Sequence, residues 1–132
     1  MQPTKEELNL LSERIIGAAI AVHRELGPGL LESAYEACLE FELLDQGLNI
    51  QRQLELPVVY RGIRIDAGYR IDLFVESKVI VEVKSVEKLI PIHDAQLFSY
   101  LKLTGCHLGL VLNFNVRVLK DGLKRLAREF PE

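Results

Sequence analysis

The sequence has no tryptophan, one methionine, two cysteines and three histidines among its 132 residues. The cysteines, Cys38 and Cys106, do not form a C-x-x-C pair, and the histidines are scattered, so no zinc-binding pattern is present. We predict that both cysteines are free, buried thiols in a reducing compartment, and we therefore expect a cytoplasmic protein.

Long apolar stretches are also missing. No run approaches the length of a membrane span, and the first residues lack the basic region and apolar stretch of a signal peptide, so we expect no membrane association. Hydrophobic residues make up 48% of the chain and charged residues 27%, which is typical of a folded globular protein. We expect one domain spanning residues 1–132, large enough for a substantial core.

An excess of positive charge is the third absence. The formal net charge is −3, whereas proteins that hold duplex DNA by broad charge neutralisation are usually basic. Any contact with nucleic acid must therefore be local. A short helix predicted at about residues 120–129 places Lys120, Lys124 and Arg128 on one face. That face is either the best candidate for phosphate contact or simply a solvated helix face.

The central segment, residues 68–85, alternates apolar side chains with others along two stretches separated by Glu76–Lys78. Because side chains alternate across a strand, this pattern predicts a two-stranded hairpin. One predicted face is continuously apolar and consists of Ile71, Leu73, Val75, Val79, Val81 and Val83. The opposite face carries Phe74 and Ile80 together with four charges, Arg70, Asp72, Glu82 and Lys84.

A three-residue loop at Glu76–Lys78 would set the register of this hairpin. It would place Asp72 opposite Glu82 and Arg70 opposite Lys84, with Cβ atoms roughly 4.5–5.5 Å apart. Two carboxylates at that distance need a proton, a cation or a metal between them. A hard divalent cation with a lysine beside it suits phosphodiester hydrolysis. The alternative is a salt-bridge ladder of the four charges on a solvated face.

The remaining segments predict a mixed sheet with helices on both sides. Helices are expected at residues 4–26, 30–46 and 92–103, and a strand buried on both faces at residues 107–114. Residues 50–60 predict an edge strand that resumes at residues 63–66 and completes a three-stranded meander with the hairpin. On the second helix, Glu36 and Glu40 are expected to face solvent. Glu32 differs, because it lies in the first turn after a rigid Gly-Pro-Gly sequence.

Several motifs occur in a fixed order along the chain. Residues 29–35 match G-x-x-E-x-x-Y, and further matches lie at residues 68–73, 81–84, 93–101 and 109–115. In these motifs the chain resembles the GxxExxY family of the PD-(D/E)XK nuclease-like superfamily, from about residue 12 to 128. The resemblance implies an α/β fold with a restriction-endonuclease-like αβββαβ core, a mixed sheet flanked by helices.

The resemblance also implies roles for individual residues. Asp72 and Glu82 would bind Mg²⁺ or Mn²⁺ together with the backbone carbonyl of Val83. Lys84 would position or activate the attacking water. Three further contacts with substrate are expected at the edge of the site, from Tyr35, Arg70 and Tyr100.

Two more residues complete the implied site. Glu32 would be its first acidic residue, and Gln96 would orient Lys84 or the phosphate. We therefore expect a metal-dependent nuclease that acts on nucleic acid, on DNA in preference to RNA. The alternative is a catalytically silent nuclease fold that binds a protein or nucleic acid. The small chain would need a second copy or a partner protein to hold duplex DNA, and the apolar strand at residues 107–114 could pair across a two-fold axis.

Overall fold

Apolar residues recur at three- and four-residue steps in the first third of the chain, and both predicted helices form there. The structure is a computed structural model that describes residues 2–132. Helix α1 spans Lys5–Leu26 and starts with the expected capping box between Thr4 and Glu7. Helix α2 spans Glu32–Asp45. No helix in the described part of the chain has the length and apolarity that crossing a bilayer requires.

The rest of the chain forms seven strands, a third helix and one turn of 3₁₀ helix. In chain order these are β1 Ile50–Glu55, β2 Val58–Tyr60, β3 Ile63–Ile65, β4 Arg70–Val75, β5 Val79–Lys84, α3 Pro91–Thr104, β6 Leu108–Asn113, the 3₁₀ turn Leu119–Gly122 and β7 Leu123–Ala127. Five strands make one mixed sheet in the order β1-β4-β5-β6-β7. Strands β5 and β6 are parallel and joined through α3, as the sequence predicts. The mixed α/β architecture is thus confirmed.

The sheet separates two apolar cores. Helices α1 and α2 cover one face, where their apolar stripes pack on the valines of β5 and the leucines of β6. Helix α3 covers the other face through Leu97, Tyr100 and Leu101. Because β5 and β6 are covered on both sides, every residue of β6 is buried. The face of β5 that carries Ile80 and Glu82 is therefore an interior face.

The hairpin register is as predicted over its first half. The pairs Val75–Val79, Phe74–Ile80 and Leu73–Val81 face each other across β4 and β5. The predicted single apolar face is wrong beyond Leu73, however. Ile71 packs in the core under α3, together with Ile80, while Leu73 and Val75 pack under α1 and α2. Strand β4 therefore contributes to different cores on either side of Asp72.

The predicted three-stranded meander is also wrong. Strand β1 pairs with β4, but β2 and β3 pair only with each other and form a separate two-stranded sheet. Pro57 lies between β1 and β2, lacks a backbone donor and thus interrupts the ladder. The tight turn at Arg61 and Gly62 is as expected, with φ of 51° and 78°. The β2–β3 hairpin consequently projects from the main sheet.

The predicted helix at residues 120–129 is wrong as well. The segment forms the 3₁₀ turn and strand β7, which pairs antiparallel with β6 and places Leu123 opposite Leu112. A helix would have left the outer edge of β6 without hydrogen-bond partners, and backbone pairing overrides the local helical spacing. Strand β6 is therefore an interior strand, so the expected two-fold pairing through it is wrong too.

The change from helix to strand divides the expected basic face. Lys124 forms an ion pair of 2.6 Å with Asp94 on α3, whereas Arg125 donates to Asn9 on α1. Arg128 pairs with its neighbour Glu129. Successive side chains of a strand point to opposite faces, and these cations accordingly lie on both sides of the sheet. They do not form the continuous phosphate-binding surface that the helix would have given.

Candidate functional site

The ladder between β4 and β5 ends at Leu73–Val81, although β4 extends back to Arg70 and β5 forward to Lys84. Two carboxylates occupy the opening. The backbone N–H of Asp72 donates to Glu82 Oε2 at 3.0 Å, and the N–H of Val83 donates to Asp72 Oδ2 at 2.8 Å. Each carboxylate thus takes the place of a carbonyl on the opposite strand. The structure brings Asp72 and Glu82 together at the open end of the hairpin.

Burial makes this pair electrostatically unfavourable. Removal from water raises the pKa of Glu82, and the negative charge of Asp72 raises it further. Burial likewise raises the pKa of Asp72, although the hydrogen bond from Val83 opposes the shift. The positive charge of Lys84 favours the ionised form of both groups but does not cancel the effect of burial. The site consequently favours uptake of a proton or a cation.

Two further groups on β5 face or adjoin the opening. The N–H and C=O of one strand residue point to the same side, and the N–H of Val83 points to Asp72, so the carbonyl of Val83 also points toward β4. The carbonyl of Lys84 points the other way and accepts from Phe114 N at 2.9 Å. The Lys84 side chain is half-buried and forms no ion pair within residues 2–132.

The donor set fits a hard divalent cation. It offers carboxylate oxygens from Asp72 and Glu82 and the carbonyl of Val83, which are the ligand types that Mg²⁺ and Mn²⁺ prefer. Across residues 2–132, no three His, Cys, Asp or Glu side chains converge to form a ready cation cage. A cation at this opening would therefore keep several water ligands, as Mg²⁺ commonly does.

The structure adds a third carboxylate that the sequence pattern does not single out. Glu36 on α2 is buried, which corrects the expectation that it faces solvent. Its carboxylate accepts from Arg52 Nε at 2.7 Å and from Gln53 Nε2 at 2.9 and 3.0 Å. Glu40 is half-buried and accepts from the same arginine at 3.4 Å. The charge of Glu36 raises the pKa of both Asp72 and Glu82.

Gln53 links Glu36 to the candidate metal ligands. Its side-chain amide also donates to Asp72 Oδ1 at 3.2 Å, so one amide bridges two carboxylates. Gln53 has a φ of 53°, a left-handed conformation that costs a non-glycine residue about 1–2 kcal/mol. It also interrupts the pairing of β1 with β4 at the position opposite Asp72. In the sequence, the role of Gln53 is marked only by the run of polar residues at positions 51–53 of the edge strand.

Glu32 and Tyr35 occupy different surroundings. Glu32 is exposed and accepts from the backbone N–H of Ser85 at 3.2 Å, immediately beyond Lys84. Tyr35 is fully buried and stacks on Phe114. Its hydroxyl donates to Gly27 O and accepts from Leu30 N. The structure thus places Glu32 beside the end of β5, whereas the fully buried Tyr35 holds the Gly-Pro-Gly loop and exposes no surface for the contact predicted for it.

Three other predicted residues lie around the opening. Arg70 is exposed and pairs with Glu55 at 3.6 Å, and the strand pairing that would have placed it opposite Lys84 ends at Leu73–Val81. Tyr100 is buried on α3, and burial together with the charges of Glu82 and Asp72 raises its pKa to about 12. Gln96 lies one turn before Tyr100 and is half-buried at the wall of a neighbouring cavity.

Comparison with known proteins identifies the family of the chain. No curated protein and no solved structure is significantly similar to the chain. The sequence profile of one family, the PD-(D/E)XK nuclease superfamily, matches residues 9–126 and so covers almost the whole chain. That range includes the opening between β4 and β5 and every residue discussed around it. The chain therefore belongs to the PD-(D/E)XK nuclease superfamily.

Proposed function

We propose that this chain is a metal-dependent nuclease of the GxxExxY family that hydrolyses phosphodiester bonds of nucleic acid. One observation carries the proposal. Asp72 and Glu82 are held side by side between two splayed strands, where burial and mutual repulsion favour a bound cation. If the two carboxylates had only a structural role, salt-bridge partners would stabilise them better than this arrangement does. Superfamily membership supports nucleic acid as the substrate.

Each residue at the opening has a proposed part in the reaction. Asp72, Glu82 and the carbonyl of Val83 would hold Mg²⁺ or Mn²⁺. A bound cation of this kind lowers the pKa of water and offsets negative charge on a phosphate. Lys84 forms no competing ion pair in the described part of the chain and would direct its ammonium group toward the attacking water or the phosphate.

Two surrounding residues would position this group. Glu32 accepts from the N–H of Ser85 and so fixes the chain directly after Lys84. Gln96 is on α3, on the same side of the sheet as Glu82, and would orient Lys84 or the phosphate. Both roles are proposals that follow the family pattern, and neither side chain contacts Lys84 through a hydrogen bond within residues 2–132.

We propose DNA in preference to RNA as the substrate. The chain carries a net charge of −3, and the cations near its C-terminus lie on two faces. Tight binding of duplex DNA would therefore require a second copy of the chain or a partner protein that adds positive surface. A reducing cytoplasm stays our expectation for its location.

The alternative function is a silent module that uses the charged face only as a structural ladder. That ladder would pair Arg70, Asp72, Glu82 and Lys84 across the strands. Arg70 instead pairs with Glu55, and the half-buried Asp72 and the buried Glu82 each accept from a backbone amide. The contacts therefore give the ladder no support, and the nuclease is the proposal that accounts for two carboxylates held close together.

Thermal melting with and without metal tests the proposal without a guess about substrate. We expect Mg²⁺ and Mn²⁺ to raise the melting temperature of the wild type relative to EDTA, because a ligand that binds only the folded state stabilises it by mass action. Asp72→Asn should abolish the shift. The matched control is Asp66→Asn, which removes an exposed aspartate paired with Arg64 and should keep the shift.

Cleavage assays on single-stranded and duplex DNA and RNA complete the test. The wild type should cut at least one of them with metal and none in EDTA, and Asp66→Asn should match the wild type. A wild type that shows neither a metal-dependent melting shift nor cleavage would refute the proposed function. Metal-dependent cleavage that persists in Asp72→Asn would refute the assignment of the site.

A further inference from the structure

A cavity of about 590 Å³ lies between α3 and the residues that flank the β2–β3 hairpin and β4. One wall is the side of α3 on which Ile92, Gln96, Ser99 and the largely buried Tyr100 follow one another at helical spacing. The opposite wall consists of Val58, at the base of the β2–β3 hairpin, and Tyr69, just before β4. Its volume falls in the range of sites that hold small organic molecules or parts of larger ligands.

The chemistry of the lining suits a flat ring with a polar edge. Tyr69 is 45% exposed, and its ring meets Tyr100 edge to face with centroids 6.4 Å apart. An exposed tyrosine face is a platform on which a base can stack. Gln96 offers both a donor and an acceptor, and Ser99 adds a hydroxyl, as recognition of a base edge requires. The cationic side chain of Lys102 also lines the cavity.

The cavity is close enough to the carboxylates to receive the same substrate. Tyr100 forms part of its lining and also lies within the electrostatic influence of Glu82 and Asp72. Tyr69 precedes Asp72 by three residues on nearly extended chain, a separation of about 10 Å. A nucleotide next to a phosphate at the carboxylates could therefore place its base in the cavity.

We propose that this cavity binds one unpaired base of a nucleic acid strand, stacked on Tyr69, beside the bond to be cut. The proposal rests on the proposed function, whose substrate class it narrows to single-stranded or unpaired nucleic acid. A base within a duplex is covered on both faces and cannot enter a concave site without leaving the stack. Because the net charge is −3 and the cations near the C-terminus lie on both sides of the sheet, stacking would replace part of the charge neutralisation that duplex binding needs.

Binding measurements in EDTA test the proposal without catalysis. The probes are a fluorescently labelled oligothymidylate, the matching oligouridylate, and the same oligothymidylate annealed to its complement. We expect the wild type to bind the DNA single strand at least about tenfold more tightly than the duplex, by fluorescence anisotropy. The two single strands then show whether the site accepts DNA, RNA or both, since the stacked base is common to them.

Two substitutions with opposite chemistry address the cavity itself. Tyr69→Ala removes the stacking platform, and Ala95→Trp fills the cavity from an exposed position on α3. Each should weaken single-strand binding about tenfold and leave duplex binding unchanged, whereas Tyr69→Phe should bind like the wild type. The control is Phe41→Ala, which removes an exposed aromatic ring on α2 and should change neither affinity. Melting temperatures establish that the variants fold.

The outcomes separate this proposal from the proposed function. Binding that depends on Tyr69, without any cleavage, would support the cavity and refute the nuclease. Metal-dependent cleavage that is equally efficient in wild type, Tyr69→Ala and Ala95→Trp would support the nuclease and refute the cavity. Equal affinity for duplex and single strand would also refute it. A dimer that is detected by analytical ultracentrifugation and dissociates in Tyr69→Ala would refute the proposal too. The cavity would then bind a second copy of the chain.

Discussion

The two ends of the β4–β5 hairpin have the same alternating sequence pattern, but the strands are paired at one end and separated at the other. Near the loop, alternating apolar residues close the ladder, and Val75–Val79 and Leu73–Val81 are fully buried pairs. At the far end, carboxylates enter between the strands and the ladder opens. The closed end contributes buried apolar contacts, and the open end holds the two carboxylates of the proposed metal site. Polar groups with unfavourable burial persist where the surrounding structure holds them in place, which is typical of functional sites.

The largest expected difference between the two ends is in catalysis. At the open end, Lys84→Met should lower the cleavage rate by about 10³-fold, because it would remove the cation that we propose faces the phosphate in the transition state. At the closed end, Lys78→Met removes only an exposed ion pair with Glu7 and should leave the rate unchanged. Initial rates under metal saturation measure both. Equal losses of rate in the two variants would show that the overall charge of the protein, and not the position of Lys84, controls cleavage.

The second prediction concerns the free energy of unfolding. Leu73→Ala deletes a fully buried side chain at the closed end and should destabilise the fold by about 2–5 kcal/mol. Asp72→Asn should cost less in EDTA, since it removes a charge that burial disfavours and keeps the shape of the side chain, although the amide oxygen can accept only one of the hydrogen bonds from Val83 and Gln53. Urea unfolding with matched m-values measures the difference. A greater loss in Asp72→Asn than in Leu73→Ala would mean that the open end is a structural element.

The third prediction tests whether Gln53 holds the open end in shape. Gln53→Met keeps the side-chain length and the backbone conformation but removes the donors to Asp72 and Glu36. Loss of such an outer contact should weaken Mn²⁺ binding about 10- to 100-fold, measured by calorimetry. Gln51→Met is the control on the same strand, where the glutamine is exposed, and it should bind like the wild type. Unchanged Mn²⁺ affinity in Gln53→Met would show that the hydrogen bonds from Gln53 to Asp72 and Glu36 do not contribute to metal binding.

The fourth prediction concerns the dependence of stability on pH, which is the smallest effect over any single pH unit. Burial and the neighbouring Asp72 raise the pKa of Glu82 from 4.5 to about 8. A carboxyl group with a raised pKa binds its proton more tightly when folded, so its contribution stabilises the fold at low pH and is lost between pH 4.5 and about 8.

In EDTA, the free energy of unfolding of the wild type should fall across this window by up to about 1.4 kcal/mol per pH unit relative to Glu82→Gln. Urea unfolding of both proteins at several pH values measures that difference. Parallel pH profiles for the two proteins would contradict the buried-pair description. Mg²⁺ should reduce the difference, because it competes with the proton for the same oxygens.

Local patterns predicted those parts of the fold that local rules control. The loop at Glu76–Lys78 and the alternating valines determine the hairpin register, and the apolar run at residues 107–114 marks a strand buried on both faces. The strand β7 was missed because Lys120, Lys124 and Arg128 have helical spacing, while its hydrogen-bond partners lie on β6, earlier in the chain. A short stretch of sequence does not show this competition between helical spacing and pairing with a distant strand.

The candidate site was predictable in its centre and unpredictable at its border. Asp72, Glu82 and Lys84 follow from the alternation of one hairpin. Glu36 looks like one member of a solvated acidic stripe, because its partners Arg52 and Gln53 lie on another element. The left-handed conformation of Gln53 has no sequence signal, since glycine or asparagine would be expected there. Long-range contacts therefore determine the outer part of the site.

The exchange of carbonyl acceptors for carboxylates has a spectroscopic consequence. In regular strand pairing, amide protons are bonded to carbonyl oxygens, which do not ionise. The amide protons of Asp72 and Val83 are bonded instead to carboxylate oxygens, which gain and lose protons. Their resonances in a two-dimensional ¹H–¹⁵N spectrum should shift with pH and with added cation, while that of Lys78, bonded to the Val75 carbonyl, stays fixed. The protein thus contains two intrinsic reporters of the ionisation state at the opening, available without any label in the site.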